Sequence, residues 1–471
     1  MRLADLAGIE SDSQVTGFAI DHRKVAPGTV FGAFRGAVFN GEDFIPDAVR
    51  AGAVAVVARP DVLVEGAAHI PADEPRRAFA RLAARFFQPF PGTVVAVTGT
   101  NGKTSNVELT RQLWRMAGHH AASIGTLGVT TADDQVTTGL TTPDIVTFLS
   151  NMAGLAREGV THAAFEASSH GLAQFRTEGL PVQAAAFTNF SRDHLDYHQT
   201  MEDYFHAKMR LFAEVVEPDG TAIVWMDDPK SEAVARICRE RGLRLFTVGE
   251  NGESLRLKAR AATQFGQSLT ICSGGTDHVV QLPLIGAYQA ANALTAAGLV
   301  IATGGELKQV LANLARVQPV RGRLERAVIS RAGAPVYVDY AHTPDAIEAA
   351  VEALRPHARG RLILLFGAGG DRDAGKRAEM GRAAARLADL VIVTDDNPRS
   401  EDPSAIRRQI MEGCPDAREI PGRREAIAGA IAEAQQDDIV LLAGKGHEQG
   451  QIVGNRVLPF DDVQVARECA A

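Results

Sequence analysis

Cysteine is scarce in this chain of 471 residues. The four present, Cys238, Cys272, Cys414 and Cys469, lie far apart and form no CxxC pair. That distribution excludes a zinc ribbon or a disulfide scaffold and fits a reduced, cytoplasmic compartment. Uninterrupted apolar runs are short, none approaching the ~20 residues of a membrane span, so no membrane insertion is expected. The N-terminus lacks a basic stretch leading into an apolar one, so no signal peptide is expected either. Positive charge is in deficit, with 49 Lys and Arg against 57 Asp and Glu and a net charge of −8. That balance argues against nucleic acid or an anionic membrane as the general partner. It leaves room for an anionic small molecule, because one pocket can be basic in an acidic protein. No internal repeat or low-complexity tract stands out.

What is present is ordinary for a globular protein: 45% apolar and 23% charged residues. The chain is too long for one hydrophobic core, and three segments are expected. The first, 1–88, holds short β-like runs at 29–34 and 53–58 and ends in Pro89, Phe90, Pro91 and Gly92, a linker composition. The second, 89–318, opens with the apolar run 94–97 and continues with strand patterns such as 184–187 and 221–225. The third, 319–471, follows the Pro319 to Gly322 break and alternates apolar runs (336–339, 362–366, 390–394, 439–443) with helical stretches (345–354, 376–387). Strands separated by helices predict an α/β architecture with a mostly parallel, doubly wound sheet and ligands at the carboxyl ends of its strands.

The strongest local signal is the run from Val94 to Ser105, in which an apolar strand enters Gly99, Thr100, Asn101, Gly102, Lys103 and Thr104. Glycines let the backbone curl so that N–H groups face phosphate oxygens, and the following helix adds its positive end. Lys103 suits the β/γ-phosphates and Thr104 a Mg²⁺ ion. The standard phosphate-loop pattern would place a glycine at 97, where this chain has Val97. The turn is therefore a shortened variant, and a solvated lysine on a plain glycine turn is the bland alternative.

The TGTNGKT form resembles that of the Mur ligases and their folylpolyglutamate synthetase relatives. Further motifs follow in that family's order: Glu166 to His170, Asp193 to His198, Lys208 within YFHAKMRLF, and Gly286 to Asn292. After these come Arg321 to Glu325, Asp339 to Pro344, Gly367 to Asp373, Asp396 to Arg399, and Gly444 to Glu448. The resemblance covers nearly the whole chain and is greatest to the diaminopimelate-adding branch of the Mur ligases.

The resemblance implies three domains: 1–88 binding a UDP-MurNAc substrate, a central phosphate-loop-type ATPase domain over 89–318, and a Rossmann-like domain over 319–471 binding the incoming amino acid. It implies a monomeric enzyme of peptidoglycan precursor synthesis that uses ATP as co-substrate and Mg²⁺ as cofactor. Gly99 to Ser105, Asn292, Arg323 and Asp339 would hold ATP. Thr104, Glu166, His194 and Lys208 would hold metal, and Lys208 would carry a carbamate. Read from its sequence neighbours alone, Lys208 is a lysine reaching to solvent from an amphipathic helix with Tyr204, Phe205, Leu211 and Phe212.

Thr141, Thr142, Ser168, Gln174 and Arg176 align with residues that grip UDP-MurNAc-dipeptide, Arg176 by a planar fork suited to carboxylate or phosphate. Two positions depart from the family pattern: His22, where a serine is usual between Asp21 and Arg23, and Leu140, where a polar amide precedes Thr141. A third is Gln289, where asparagine is usual. For the incoming amino acid the resemblance implies Arg372, Asp396, Asn397, Pro398, Arg399, Gly444 and Glu448. Physical sense supports Arg399: diaminopimelate carries a distal carboxylate that lysine lacks, so a fixed guanidinium attracts one and repels the other. The implied reaction joins meso-diaminopimelate to UDP-MurNAc-L-Ala-D-Glu through an acyl-phosphate. A lysine-adding relative, a folylpolyglutamate synthetase-like ligase, and an ATPase switch without ligase activity remain as alternatives.

Overall fold

The computed structural model describes all residues except 37, 38, 133, 137–139, 264, 265 and 471. Three sheets follow one another along the chain, with a short hairpin near the C-terminus. The first has four parallel strands in chain order, Gly17–Ala19, Thr29–Gly32, Ala53–Ala58 and Ala68–Pro71. The run expected over 29–34 thus ends two residues early, as the chain leaves the sheet at Ala33.

The second sheet has eleven strands around Thr93–Thr98. That strand reads TVVAVT and its last five residues are buried, as expected of a β-branched run covered on both faces. His162–Glu166 and Ala121–Gly125 lie on one side of it, and Val182–Phe187, Val216–Trp225 and Arg244–Gly249 on the other, all parallel. Chain order reverses at Thr93–Thr98, so the glycine turn at its carboxyl end sits at a topological switch point. Leu255–Thr263 joins parallel to Arg244–Gly249 and continues into Gly266–Ser273 and Thr276–Leu282 as consecutive antiparallel hairpins, and antiparallel strands extend the other edge as well.

The third sheet runs Glu325–Ile329, Pro335–Asp339, Ile439–Ala443, Leu362–Phe366, Leu390–Val393 and Arg418–Glu419. Only its first strand is antiparallel. The expected alternation with helices holds: Pro344–Leu354 starts where Thr343 accepts a hydrogen bond from the Ala346 N–H and proline occupies the first turn, and Lys376–Leu387 follows the next strand.

Helix Pro75–Phe87 packs Phe79, Ala80, Ala83 and Ala84 into a core that also contains Phe148, Leu149 and Phe187 of the second sheet's layer. The first two sheets therefore share one continuous apolar core. The third sheet has its own cores on either face. Among the described residues the four cysteines are unpaired, and no helix is long and apolar enough to cross a membrane.

Candidate functional site

The glycine turn leaves its strand with Gly99 at φ 148° and Gly102 at φ 84°. At Gly102 a β-carbon would come within 2.5 Å of Asn292 Oδ1, so the position needs glycine for both space and conformation. Helix Lys103–Met116 then begins, with the turn at its positive end. Lys103 Nζ donates to the carbonyls of Gly99 and Thr100 at 2.9 and 2.7 Å. Lys208 Nζ donates to the same Gly99 carbonyl at 2.7 Å and lies 4.4 Å from the Tyr204 ring centre.

Lys208 is 1% exposed. It does not reach to solvent, because helix Met201–Arg210 buries this face beneath the turn. Burial lowers the pKa of both lysines, and that of Lys208, with Lys103 close by, falls well below the ordinary lysine value.

Glu166 ends strand His162–Glu166, where the strand direction delivers its carboxylate to the turn. It accepts hydrogen bonds from the Thr126 N–H at 2.7 Å and the Thr126 hydroxyl at 3.1 Å. Burial raises its pKa. Thr104 Oγ1 accepts from Arg323 Nη2 at 2.9 Å, so an arginine of the third segment touches the turn.

His194, with φ 55°, is kept neutral by burial, its pKa near 3. Beside it Asp193 gathers three partners: His194 at 3.6 Å, His342 at 3.8 Å and Lys376 at 3.4 Å. Burial alone would raise the Asp193 pKa, but the His342 hydrogen bond and the Lys376 charge hold it well below the usual carboxylate range.

Two adjoining cavities meet at the turn. One, of about 560 Å³, is lined by Asn101, Gly102, Ser105, Asn292, Arg323 and Asp339 among others. Asn292 is fixed by Asn106 and by Gln289, the latter at 3.2 Å, so Gln289 supports this side chain from behind. Asp339 accepts from the Leu324 N–H at 2.7 Å and from the Tyr288 hydroxyl at 3.3 Å.

The larger cavity, about 1040 Å³, runs from Thr100–Thr104 past Glu166, His194 and Lys208 to both remaining groups of expected residues. On one side lie Thr141, Thr142, Ser168 and Arg176. Thr142 Oγ1 donates to the Glu166 carbonyl at 2.8 Å, and Arg176 donates to the Thr142 carbonyl at 2.7 Å and to Gln174 at 2.7 Å. Gln174 does not line the cavity; it steers Arg176.

On the other side lie Arg372, Asp396, Asn397, Arg399, Gly444 and Glu448, presented by the carboxyl ends of strands of the third sheet. Gly99 and Pro398 line neither cavity. Arg399 sits at φ 52°, its N–H donating to the Ile452 carbonyl at 3.1 Å and its Nη1 to the Gly370 carbonyl at 2.8 Å. Asn397 Nδ2 donates to Glu448 Oε2 at 2.7 Å.

Backbone strain concentrates here. Among the described residues, the non-glycine positions with positive φ are Phe175, His194, Leu324, Asp371 and Arg399. Each is a site residue or adjoins one, and each such conformation costs ~1–3 kcal/mol that the surrounding contacts must offset. The sequence carries no sign of this. Asp193 and His342 stand in motifs it did display, without a role, whereas Lys376 has no local signal at all.

Comparison with known proteins places these motifs in a family. Residues 14–87 match the model for the Mur ligase family, catalytic domain; 97–300 match the Mur ligase middle domain; 322–446 match the Mur ligase glutamate ligase domain. A UDP-N-acetylmuramoyl-L-alanyl-D-glutamate–2,6-diaminopimelate ligase of Zymomonas mobilis subsp. mobilis is 61% identical over 463 residues, 98% of this chain and 95% of that protein. One of the same description from Bradyrhizobium diazoefficiens is 50% identical, over 98% of this chain and 97% of its own length. A solved structure of a ligase with that description is 31% identical and superposes with a TM-score of 0.73, covering 100% of this chain and 98% of that one.

Proposed function

The chain belongs to the Mur ligase family, and on that premise we propose that it joins 2,6-diaminopimelate, as the meso isomer, to the D-glutamate γ-carboxylate of UDP-MurNAc-L-Ala-D-Glu with cleavage of ATP, in peptidoglycan precursor synthesis. The observation that carries this reading is the larger cavity, which joins the phosphate turn to Arg399 and Glu448 of the third sheet in one space.

The smaller cavity suits adenine and ribose, with Asn292 and Asp339 as polar contacts. Phosphates on the turn would draw Lys103 away from its own carbonyl partners, exchanging neutral acceptors for charged ones. Arg323, already reaching Thr104, adds a second cation. The γ-phosphoryl group passes to the D-glutamate γ-carboxylate, which Arg176, Thr142 and Ser168 would present, giving an acyl-phosphate and ADP. The amine of diaminopimelate then attacks the acyl carbon, its proton is lost, and phosphate leaves from the tetrahedral intermediate. The chain's contribution is largely positioning and charge compensation.

Oxygen donors suited to Mg²⁺ are at hand: Glu166 offers a buried carboxylate with no ion pair among the described residues and Thr104 a hydroxyl, while His194 would offer a neutral imidazole to a second ion. Bound there, Mg²⁺ would offset the negative charge of the phosphoryl groups. Lys208 suits carbamylation because burial keeps its amine nucleophilic. Nζ bonds to the carbon of CO₂, a proton leaves, and the resulting anion keeps one N–H for the Gly99 carbonyl.

The test is ADP release with UDP-MurNAc-L-Ala-D-Glu and, in turn, meso-diaminopimelate, L-lysine and L-glutamate. Release that depends on meso-diaminopimelate supports the reading. Equal release without any amine acceptor makes the protein an ATPase instead.

A further inference from the structure

Lys445 takes no part in the roles assigned above, yet it is 0% exposed beneath the pocket that receives the amino acid. Its Nζ donates to Asn397 Oδ1 at 3.1 Å, to Glu448 Oε2 at 3.2 Å and to the Gly450 carbonyl at 2.6 Å. Those partners belong to three separate pieces of chain: the loop after Leu390–Val393, the loop after Ile439–Ala443, and the hairpin Gly450–Val453/Arg456–Pro459. The same hairpin donates the Ile452 N–H to Asn397 Oδ1 at 2.9 Å and holds both backbone groups of Arg399, through the Ile452 carbonyl and the Gly454 N–H. The left-handed backbone of Arg399 is thus kept in place by a hairpin that Lys445 ties down.

Charge gives Lys445 a second effect. Two formal negative charges, Asp396 and Glu448, face the pocket, and Lys445 lies 3.9 and 3.2 Å from them. Arg399 supplies one positive charge and Lys445 the other. Arg372 lies 3.8 Å from Asp196, with exposed Asp371 near both it and Arg399, and the buried Arg423, ion-paired with Asp462, adds a more distant positive charge behind Asp396 and Glu448. Among Asp396, Glu448, Arg399 and Lys445 the charges therefore cancel while presenting both signs, which matches an amino-acid head carrying one ammonium and one carboxylate. Without Lys445 that group of four would become one charge more negative, which shifts its preference toward a lone ammonium.

We propose that Lys445 is a positioning and specificity-determining residue: it fixes Arg399 through the hairpin and balances the two carboxylates, so that the pocket prefers a zwitterionic head to a bare cation. This rests on the ligase reading above. The experiment compares wild type, Lys445→Met and Lys445→Gln for kcat and KM toward meso-diaminopimelate, L-lysine and ATP, with thermal melts alongside.

Lys445→Met should raise KM for diaminopimelate about tenfold or more and lower the diaminopimelate-to-lysine ratio of kcat/KM by at least as much. KM for ATP should stay within about twofold, since the turn lies on another sheet. Lys445→Gln restores hydrogen bonds without charge, so it should recover part of the KM while the ratio stays low. An unchanged ratio in both variants overturns the proposal, as does loss of a cooperative melt in both, which would make Lys445 a folding residue only. Should wild type itself release no ADP in response to diaminopimelate, the ligase reading fails instead, and the two failures are told apart.

Discussion

Two side chains given roles in the proposed reaction can each be tested separately. Lys208 is buried, close to Lys103 and, among the described residues, hydrogen-bonded only to a carbonyl, so its amine is far less basic than usual. Lys208→Ala should lose turnover by roughly 10²-fold or more, the scale of removing a preorganised charge, and regain part of it when acetate is added. No acetate effect, together with no gain from bicarbonate in wild type, would remove the carbamate from the scheme. Arg399 concerns the choice of substrate. On the proposed pairing of Arg399 with the distal carboxylate of diaminopimelate, Arg399→Ala would leave that carboxylate desolvated without a partner, a loss of about 2–5 kcal/mol in transition-state binding, or some tens to thousands in kcat/KM. Activity with lysine should fall far less or rise. An unchanged ratio of the two substrates would reduce Arg399 to a turn residue.

At the scale of elements, the buried pair Arg423–Asp462 bonds helix Arg423–Glu433 to helix Asp462–Ala470, both side chains being 0% exposed. Arg423 Nε donates to Asp462 at 2.8 Å, and Nη2 reaches the Ala443 carbonyl at 2.9 Å. Asp462→Ala strands a buried guanidinium, and the third domain should lose ~3–5 kcal/mol in chemical denaturation. A loss below about 1 kcal/mol would mean that water replaces the carboxylate.

The elements also mark what the sequence could tell. Runs 53–58, 362–366 and 439–443 coincide with observed strands because short apolar segments bounded by polar or glycine residues read the same way locally and in the fold. The hairpins over Leu255–Leu282 went unseen: their exposed edges break the apolar pattern, and their pairing is decided between strands, not within one. The same limit applies to the site. Glycine turns and motif order are local, but the depth of Lys208, the junction at Asp193 and the grip of the hairpin on Arg399 arise from segments far apart in the chain.

Over the whole molecule, burial of histidines couples stability to pH. His162 and His170 are pushed down to about 4, and His194 and His447 to about 3, against an ordinary 6.5, while His198 and His357 are lowered as well. Their folded values lie below the unfolded one, so the unfolded chain gains protons first as pH falls. The stability they contribute is full above about pH 6.5 and drains away toward their folded values. Glu166, Asp228 and Asp339, raised by burial, act in the opposite sense and are fewer. The melting temperature should therefore drop between about pH 7.5 and about pH 5.5, before most carboxylates titrate. A level or rising value over that interval would contradict the burial of these imidazoles.

The two cavities share Asn101, Gly102, Arg323 and Tyr340 as a common wall. For ligand design this makes them two rooms divided by one thin partition. A single molecule with a purine-like head in the smaller and a zwitterionic tail toward Arg399 gives up its translational freedom once, where two separate fragments give it up twice. With a linker that spans that partition, such a molecule should bind more tightly than either fragment by the effective-concentration factor, on the order of 10²–10⁴, without a single new contact.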